Sequence, residues 1–143
     1  MGGISTSELR FVPDGHALFC GQVSLEHNGG FASVRCRAGD FGRPGVRAYL
    51  LQVLGDGKQY KLNLRTDADF DGINYQARFS PPPGTWATCR LATHDFMPTW
   101  RGKPVTDGQP LDPARVHQVG LMIADRQAGP FALAIRWIAA ELD

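Results

Sequence analysis

The chain has 143 residues, the size of one domain, and we treat residues 1–143 as a single domain with one core. Its 15 Lys and Arg residues nearly balance its 14 Asp and Glu residues. The net charge of +1 gives no long-range field for nucleic acid or an anionic membrane, so neither is expected as a partner. No apolar run approaches the ~20 residues that span a bilayer. Residues 1–5 lack the charged and apolar regions of a signal peptide, which predicts a cytoplasmic protein.

The three cysteines, Cys20, Cys36 and Cys89, are odd in number and widely spaced, and no pair has the Cys-x-x-Cys spacing. Their apolar surroundings predict buried free thiols in a reducing compartment. A disulfide between two of them stays open as an alternative. A catalytic thiol is not expected, because no motif places a histidine beside one of them.

Short apolar runs between 17 glycines and 10 prolines predict many short strands. Gly29-Gly30 leads into a strand over residues 31–34, so it offers no helix N-terminus that would hold a phosphate. Residues 46–65 predict a β-hairpin whose tight turn is Gly55-Asp56-Gly57, since glycines accept a positive φ.

Alternation in the second arm of this hairpin and in the next strand separates a core face from a polar face. The core face holds Tyr60, Leu62, Leu64, Tyr75, Ala77 and Phe79. If the polar residues lie on one sheet surface, they form a row of donors for hydroxyl, carboxylate or amide groups. This candidate site comprises Arg35, Lys61, Asn63, Arg65, Gln76 and Arg78. The alternative is an ordinary solvated sheet face.

The rest of the chain continues the strand pattern around one long connection. Pro81-Pro82-Pro83-Gly84 ends a strand, and residues 86–91 predict the next. Residues 92–117 then predict a long loop over one end of the fold, with Phe96 and Trp100 anchored in the core.

Two apolar runs, residues 119–124 and 131–140, complete the predicted elements. The last run is apolar on both faces, which fits a buried strand or a short helix, and its Ile and Trp content favours a strand. Strands with turns every eight to twelve residues predict an all-β sandwich or barrel.

Motifs that carry chemistry are few. Asp67-Ala68-Asp69-Phe70-Asp71-Gly72 resembles the first half of a calcium loop, but Arg78 stands where the loop needs a bidentate Glu, so a polar loop is expected. No two of the four histidines have ligand spacing, and the chain has no Gly-x-Ser-x-Gly elbow. The sequence therefore predicts no catalytic residue, no metal, no cofactor and no enzyme activity.

One stretch of the sequence resembles a known protein family. Residues 24–35 closely resemble the signature of the complex I intermediate-associated protein 30 family, and further matches run along nearly the whole chain. They include Gly55, Asp56, Gly57, Tyr60, Arg65, Tyr75, Phe79, Gly84, Trp86, Phe96, Arg101, Gln127 and Phe131. The resemblance implies a galactose-binding-like jelly-roll β-sandwich of two antiparallel sheets. It also implies a role like that of the best-known members, which bind assembly intermediates of respiratory complex I.

The N-terminus departs from this family. Met1-Gly2-Gly3-Ile4-Ser5 resembles the end of a segment that normally follows a first strand. Either translation starts upstream of Met1, which we favour, or the domain lacks an edge strand and must protect the edge by dimerising or by covering it.

Three functions then compete. The first, which we prefer, is a non-enzymatic assembly factor that binds a protein partner, such as complex I subunits, through the 92–117 loop with Trp100 and Arg101 and through the polar face. The second is a carbohydrate-binding module that uses Trp100 or Tyr75 as a stacking platform. The third is a small-molecule enzyme, for which the sequence offers no activated group.

Overall fold

The computed structural model describes residues 6–12, 16–23, 32–35, 42, 44–66, 73–100, 103–105, 110–124, 127 and 129–142. Residues 6–12, 16 and 32–35 are described by their backbone only. The described chain is built of strands with two 3₁₀ helices, and its nine strand pairings are all antiparallel. The predicted all-β class with two antiparallel sheets is confirmed.

The strands form a five-stranded and a six-stranded sheet. Neighbours in the five-stranded sheet are, in order, β1 (Thr6–Val12), β2 (His16–Val23), β11 (Gly129–Leu142), β4 (Val46–Leu54) and β7 (Trp86–Ala92). Neighbours in the six-stranded sheet are β3 (Ala32–Arg35), β10 (Gln118–Ile123), β5 (Tyr60–Arg65), β6 (Asn74–Phe79), β8 (Met97–Trp100) and β9 (Lys103–Pro104).

The hydrophobic core lies between the two sheets, where the inward residues of both meet. All six core-facing residues predicted from β5 and β6 are buried, and Tyr60 and Leu62 are fully so. Alternation therefore identified the correct face of these strands. An aromatic group anchors one end of the core, where the ring centroids of Phe19 and Phe131 lie 4.9 Å apart and Tyr60 packs edge-on at 6.2 Å from Phe19.

The predicted hairpin over residues 46–65 is wrong. β4 belongs to the five-stranded sheet and β5 to the six-stranded sheet, so Gly55-Asp56-Gly57 carries the chain from one sheet to the other. The connection between β6 and β7 crosses beside it: Gly84 donates its N–H to the Gly55 carbonyl at 3.2 Å. A Cβ on Gly55 would lie 2.6 Å from Pro81 Cγ, so glycine is needed here for close approach, whereas Gly57 has the positive φ of 90°.

Asp56 joins this crossing to the core and to β11. Its Oδ1 accepts hydrogen bonds from the Tyr60 hydroxyl at 2.9 Å and from the Lys58 N–H at 3.2 Å. Its Oδ2 accepts one from the Ala132 N–H of β11 at 2.8 Å. Both sheets are thus connected through one carboxylate.

Gln127 closes the same end of the sandwich. Its Oε1 accepts from the Gln59 N–H at 2.9 Å, and its Nε2 donates to the carbonyls of Gln59 and Ala124 at 2.8 and 2.9 Å. We call the end of the sandwich held by Asp56, Tyr60 and Gln127 the closed end.

The prediction that residues 92–117 form a single long loop is also wrong. Its described parts contain a 3₁₀ helix at Thr93–Asp95, then β8 and β9, and a second 3₁₀ helix at Pro113–Arg115. Phe96 is buried as predicted, but Trp100 is 46% exposed and does not anchor the core. Sequence reasoning missed the two strands because each is very short and contains a proline.

Other predicted elements agree more closely with the structure. β7 and β10 each lie within about one residue of the predicted spans. The run that fitted a strand or a helix is the strand β11. Cys89 is a free thiol as predicted, although it is half-buried. Cys20 is half-buried too, and Cys36 lies outside the described residues. Whether a strand precedes Met1 stays a prediction.

Candidate functional site: the polar face of the six-stranded sheet

The register of the six-stranded sheet places the predicted polar residues on one face. Asn63 of β5 stands opposite Gln76 of β6, and Lys61 stands opposite Arg78. Residues directly opposite in an antiparallel pair point to the same side. Arg65 stands two residues from Asn63 and therefore shares this side, and the backbone of Arg35 in β3 stands opposite Gly120, which is itself opposite Asn63. We call this surface the polar face.

The structure adds residues that the sequence did not single out. Asn74 and Thr99 stand opposite each other across β6 and β8, and Met97 stands opposite Gln76. Asn74 precedes the first residue recognised as a strand by alternation, and β8 was not predicted as a strand. The missed signal is the continuation of alternation backwards from Gln76 to Asn74.

Burial divides the polar face into two kinds of position. Arg78 is exposed, and Lys61, Arg65 and Gln76 are half-buried, as long polar side chains on a solvated sheet are. Asn63 and Asn74, by contrast, are only 9% exposed each. The Oδ1 atoms of both asparagines are buried and accept no hydrogen bond from the described residues.

Two buried amide oxygens that lack a donor among the described residues are energetically unfavourable. A buried acceptor without a donor costs about 1–3 kcal/mol. Thr99 satisfies part of this region, because its hydroxyl donates to the backbone carbonyl of Asn74 at 2.8 Å.

A groove of about 270 Å³ lies on the polar face beside these asparagines. It is lined by Lys61, Gln76, Arg78, Asp95, Met97, Thr99 and Pro104. The carboxylate of Asp95 is held by the 3₁₀ turn, where Oδ2 accepts the Ala92 N–H at 3.1 Å. The groove thus presents two cations, a carboxylate and an amide around an apolar methionine.

Two aromatic residues proposed as stacking platforms do not lie on this face. Tyr75 points into the core and is 7% exposed. Trp100 follows Thr99 in β8, so alternation places it on the opposite side of the strand from the polar face. Arg101 lies outside the described residues, as does the calcium-like stretch 67–72.

Within the described ranges, no three His, Cys, Asp or Glu side chains are placed to hold a metal ion. Burial raises the pKa of the Cys89 thiol, which makes it a poorer nucleophile at neutral pH. In the part of the chain that the structure describes, no helix is suited by length and hydropathy to span a membrane.

Known proteins match this chain in sequence. The model of the complex I intermediate-associated protein 30 family matches residues 1–135. A mitochondrial protein of that name from Neurospora crassa is 28% identical over 92% of this chain and 54% of the relative. The Drosophila melanogaster protein of the same name is 27% identical over 99% of this chain and 55% of the relative. The chain therefore spans about half the length of the curated relatives it matches.

A solved structure matches the fold. The family 11 carbohydrate-binding module of a cellulosomal cellulase from Clostridium thermocellum superposes with a TM-score of 0.73, covering 99% of this chain and 86% of the module. Its sequence identity is 12%, so the likeness concerns the fold alone. The predicted jelly-roll β-sandwich is confirmed.

Proposed function

Because the chain belongs to the complex I intermediate-associated protein 30 family, we propose that it is a non-enzymatic assembly factor that binds an intermediate of respiratory NADH:ubiquinone oxidoreductase. The match of the family model over residues 1–135 carries this proposal. The relatives' names support it, since both are described as associated with complex I intermediates and as mitochondrial. The cytoplasmic location inferred from the sequence stays a prediction.

The polar face is the surface we assign to the partner. Its exposed Arg78 and half-buried Lys61 and Arg65 supply donors, and Asp95 in the groove supplies carboxylate acceptors. A protein surface offers both backbone carbonyls and backbone N–H groups, so it can satisfy both sets.

The experiment is affinity capture from the native host with the bound proteins identified by mass spectrometry. We expect the wild-type chain to recover complex I subunits and Arg65→Ala/Arg78→Ala to lose them, with thermal stability nearly unchanged. Arg47→Ala/Arg136→Ala is the matched control, because it removes two cations from the five-stranded sheet. Equal capture by both double variants would exclude the polar face, and a large loss of stability in the first would mark its arginines as structural.

Carbohydrate binding is the second candidate, favoured by the likeness to a carbohydrate-binding module and by the groove on the polar face. Sugar rings usually stack on aromatic side chains, and the described residues of the polar face include none. We therefore rank it second. A rise in melting temperature with one member of a panel of soluble glycans, together with no captured respiratory subunit, would reverse this order.

A further inference from the structure

A β-bulge turns two consecutive residues of β11 to the outer side of the five-stranded sheet, the side that faces away from the core. Ile135 and Ile138 each stand opposite a fully buried residue of β4, so both point towards the core. In a regular strand, inward positions are separated by one residue. The register shift between Ile135 and Trp137 leaves two residues between them here. Arg136 and Trp137 therefore both face outwards.

The side chain of Arg136 is held in place on this outer side. Its guanidinium carbon lies 4.1 Å from the centroid of the Trp86 ring, and its Nη1 donates to Oε1 of Gln52 at 3.2 Å. The cation–π contact and the hydrogen bond together restrict a side chain that otherwise has many rotamers. A ligand that binds this guanidinium therefore pays less ordering entropy than one that binds a free arginine.

The charge of Arg136 is not neutralised within the part of the chain that the structure describes. No carboxylate among those residues forms an ion pair with it, whereas Arg90 pairs with Glu141 at 2.8 Å. A guanidinium has five N–H donors in a planar fork that fits a carboxylate. One of them is used for Gln52, and the side chain is exposed, so an anion can approach the others.

An exposed indole lies beside this guanidinium. Trp137 is 40% exposed and stands opposite Gln52, the residue that accepts the hydrogen bond from Arg136. The next outward residue of β11 is Ala139, which is exposed and too small to cover the indole. Thr88 stands opposite Gln52 on its other side and adds an exposed hydroxyl. The outer patch, as we call this group, comprises Gln52, Trp86, Thr88, Arg136 and Trp137.

We propose that the outer patch binds a ring that carries a carboxylate, with the ring stacked on Trp137 and the carboxylate paired with the guanidinium of Arg136. The Gln52 amide and the Thr88 hydroxyl supply hydrogen bonds to further polar groups of the ligand. Uronate sugars and aromatic acids share this chemistry. A small anion without a ring is disfavoured, because one exposed ion pair contributes little by itself. The outer patch and the polar face lie on different sheets, so this inference does not rest on the proposed function.

The first test is a fluorine NMR titration of the whole chain with para-fluorobenzoate and para-fluorobenzamide, which have nearly the same shape but differ in charge. Wild type should bind the acid about five-fold more tightly, as expected for one restrained but exposed ion pair. Arg136→Ala should remove this preference, and Arg136→Lys should reduce it to about two-fold, because lysine keeps the charge without the fork. Arg115→Ala is the control, because it removes an exposed cation from the second 3₁₀ helix.

A second set of variants tests the stacking of the ring. Trp137→Ala should weaken the binding of both probes about five-fold and leave the preference for the acid unchanged. Trp100→Ala is the matched control, because Trp100 is 46% exposed but belongs to the six-stranded sheet. Thermal unfolding verifies that each variant folds. Trp137→Phe, which keeps a smaller ring, should give an intermediate loss and provides the result if Trp137→Ala does not fold.

Methyl β-glucuronide and methyl β-glucoside distinguish the two sources of the ring in the same titrations, observed by proton NMR. Tighter binding of the glucuronide than of para-fluorobenzoate would identify a uronate sugar as the ligand, and the reverse order an aromatic acid. Both orders support the proposal if the acid is preferred in each pair and Arg136→Ala removes the preference. Failure of wild type to prefer either acid overturns the proposal, as does an equal effect of Trp137→Ala and Trp100→Ala. Capture of respiratory subunits through the polar face is independent of each of these outcomes.

Discussion

The two ends of the sandwich differ in the hydrogen bonding of a core tyrosine hydroxyl. At the closed end, the hydroxyl of the fully buried Tyr60 donates to Asp56 at 2.9 Å, and the same carboxylate reaches the backbone of β11. At the other end, the hydroxyl of Tyr49 is buried and has no hydrogen-bond partner among the residues that the structure describes. Both rings pack edge-on against another aromatic ring, so the difference lies in the hydrogen bonds and in the strands that cover them.

The comparison shows where hydrogen bonds between distant segments hold the sandwich together. Crossing segments between the sheets supply the polar groups of the closed end, whereas beside Tyr49 β2 has already ended and β11 pairs only with β4 among the described strands. Stability is therefore expected to depend on the closed end.

Asp56→Ala should give the largest effect, a loss of about 3 kcal/mol in the free energy of unfolding. The variant removes three hydrogen bonds and leaves the Tyr60 hydroxyl buried without an acceptor. Urea denaturation measures it. The control is Asp112→Ala, in which an exposed aspartate loses one bond from the Ala114 N–H, at a cost of about 1 kcal/mol. Similar losses in the two variants would contradict the special role of the closed end.

Alkaline pH should give the next largest effect. The unfolded chain has tyrosines with a pKa near 10. In the folded chain burial raises the pKa of Tyr49 to about 12, and burial, the hydrogen bond and the charge of Asp56 raise that of Tyr60. The unfolded state therefore binds fewer protons between pH 10 and 12, so stability is complete below pH 10 and falls as the pH rises.

Each tyrosine contributes at most about 1.4 kcal/mol per pH unit to this fall. Urea denaturation at pH 9, 10, 11 and 12 measures the slope for wild type and Tyr49→Phe. The variant should lose stability less steeply, because one group whose pKa is raised by folding is gone. Parallel curves would show that Tyr49 is not protected from deprotonation by the fold.

The smallest effects should distinguish the two tyrosines directly. Tyr60→Phe should cost about 1 kcal/mol, because Asp56 loses one donor, whereas Tyr49→Phe should be neutral or stabilising by up to about 1 kcal/mol, because it removes an unpartnered buried hydroxyl. Both variants keep the ring, so packing is matched. Equal destabilisation by the two substitutions would mean that the Tyr49 hydroxyl has a stabilising partner after all.

Much of the fold was predictable from local pattern. Alternation identified the buried and polar sides of β5 and β6, because a two-residue period is a property of the strand itself. It could not tell which strands share a sheet, since a connection such as Gly55-Asp56-Gly57 suits a hairpin and a crossing equally well. That distinction depends on the contact of Gly55 with Pro81, which is distant in sequence.

The candidate site was predictable in part for the same reason. Lys61, Asn63, Arg65, Gln76 and Arg78 were found by their period, and register then brought Asn74 and Thr99 beside them. The burial of Asn63 and the exposure of Trp100 depend on which segments pack against them. Such neighbours are set by tertiary packing and leave no local mark in the sequence.

The hydrogen bonds of Gln127 at the closed end require a side-chain amide. Its side-chain amide accepts from the N–H of Gln59 and donates to the carbonyl of the same residue, so it replaces a rung of backbone pairing. Conversion of this amide to a carboxylate would alter neither size nor shape. It would, however, set a negative oxygen against the carbonyls of Gln59 and Ala124. Hydrolysis of this one side-chain amide to a carboxylate would therefore replace hydrogen bonds between distant segments with electrostatic repulsion.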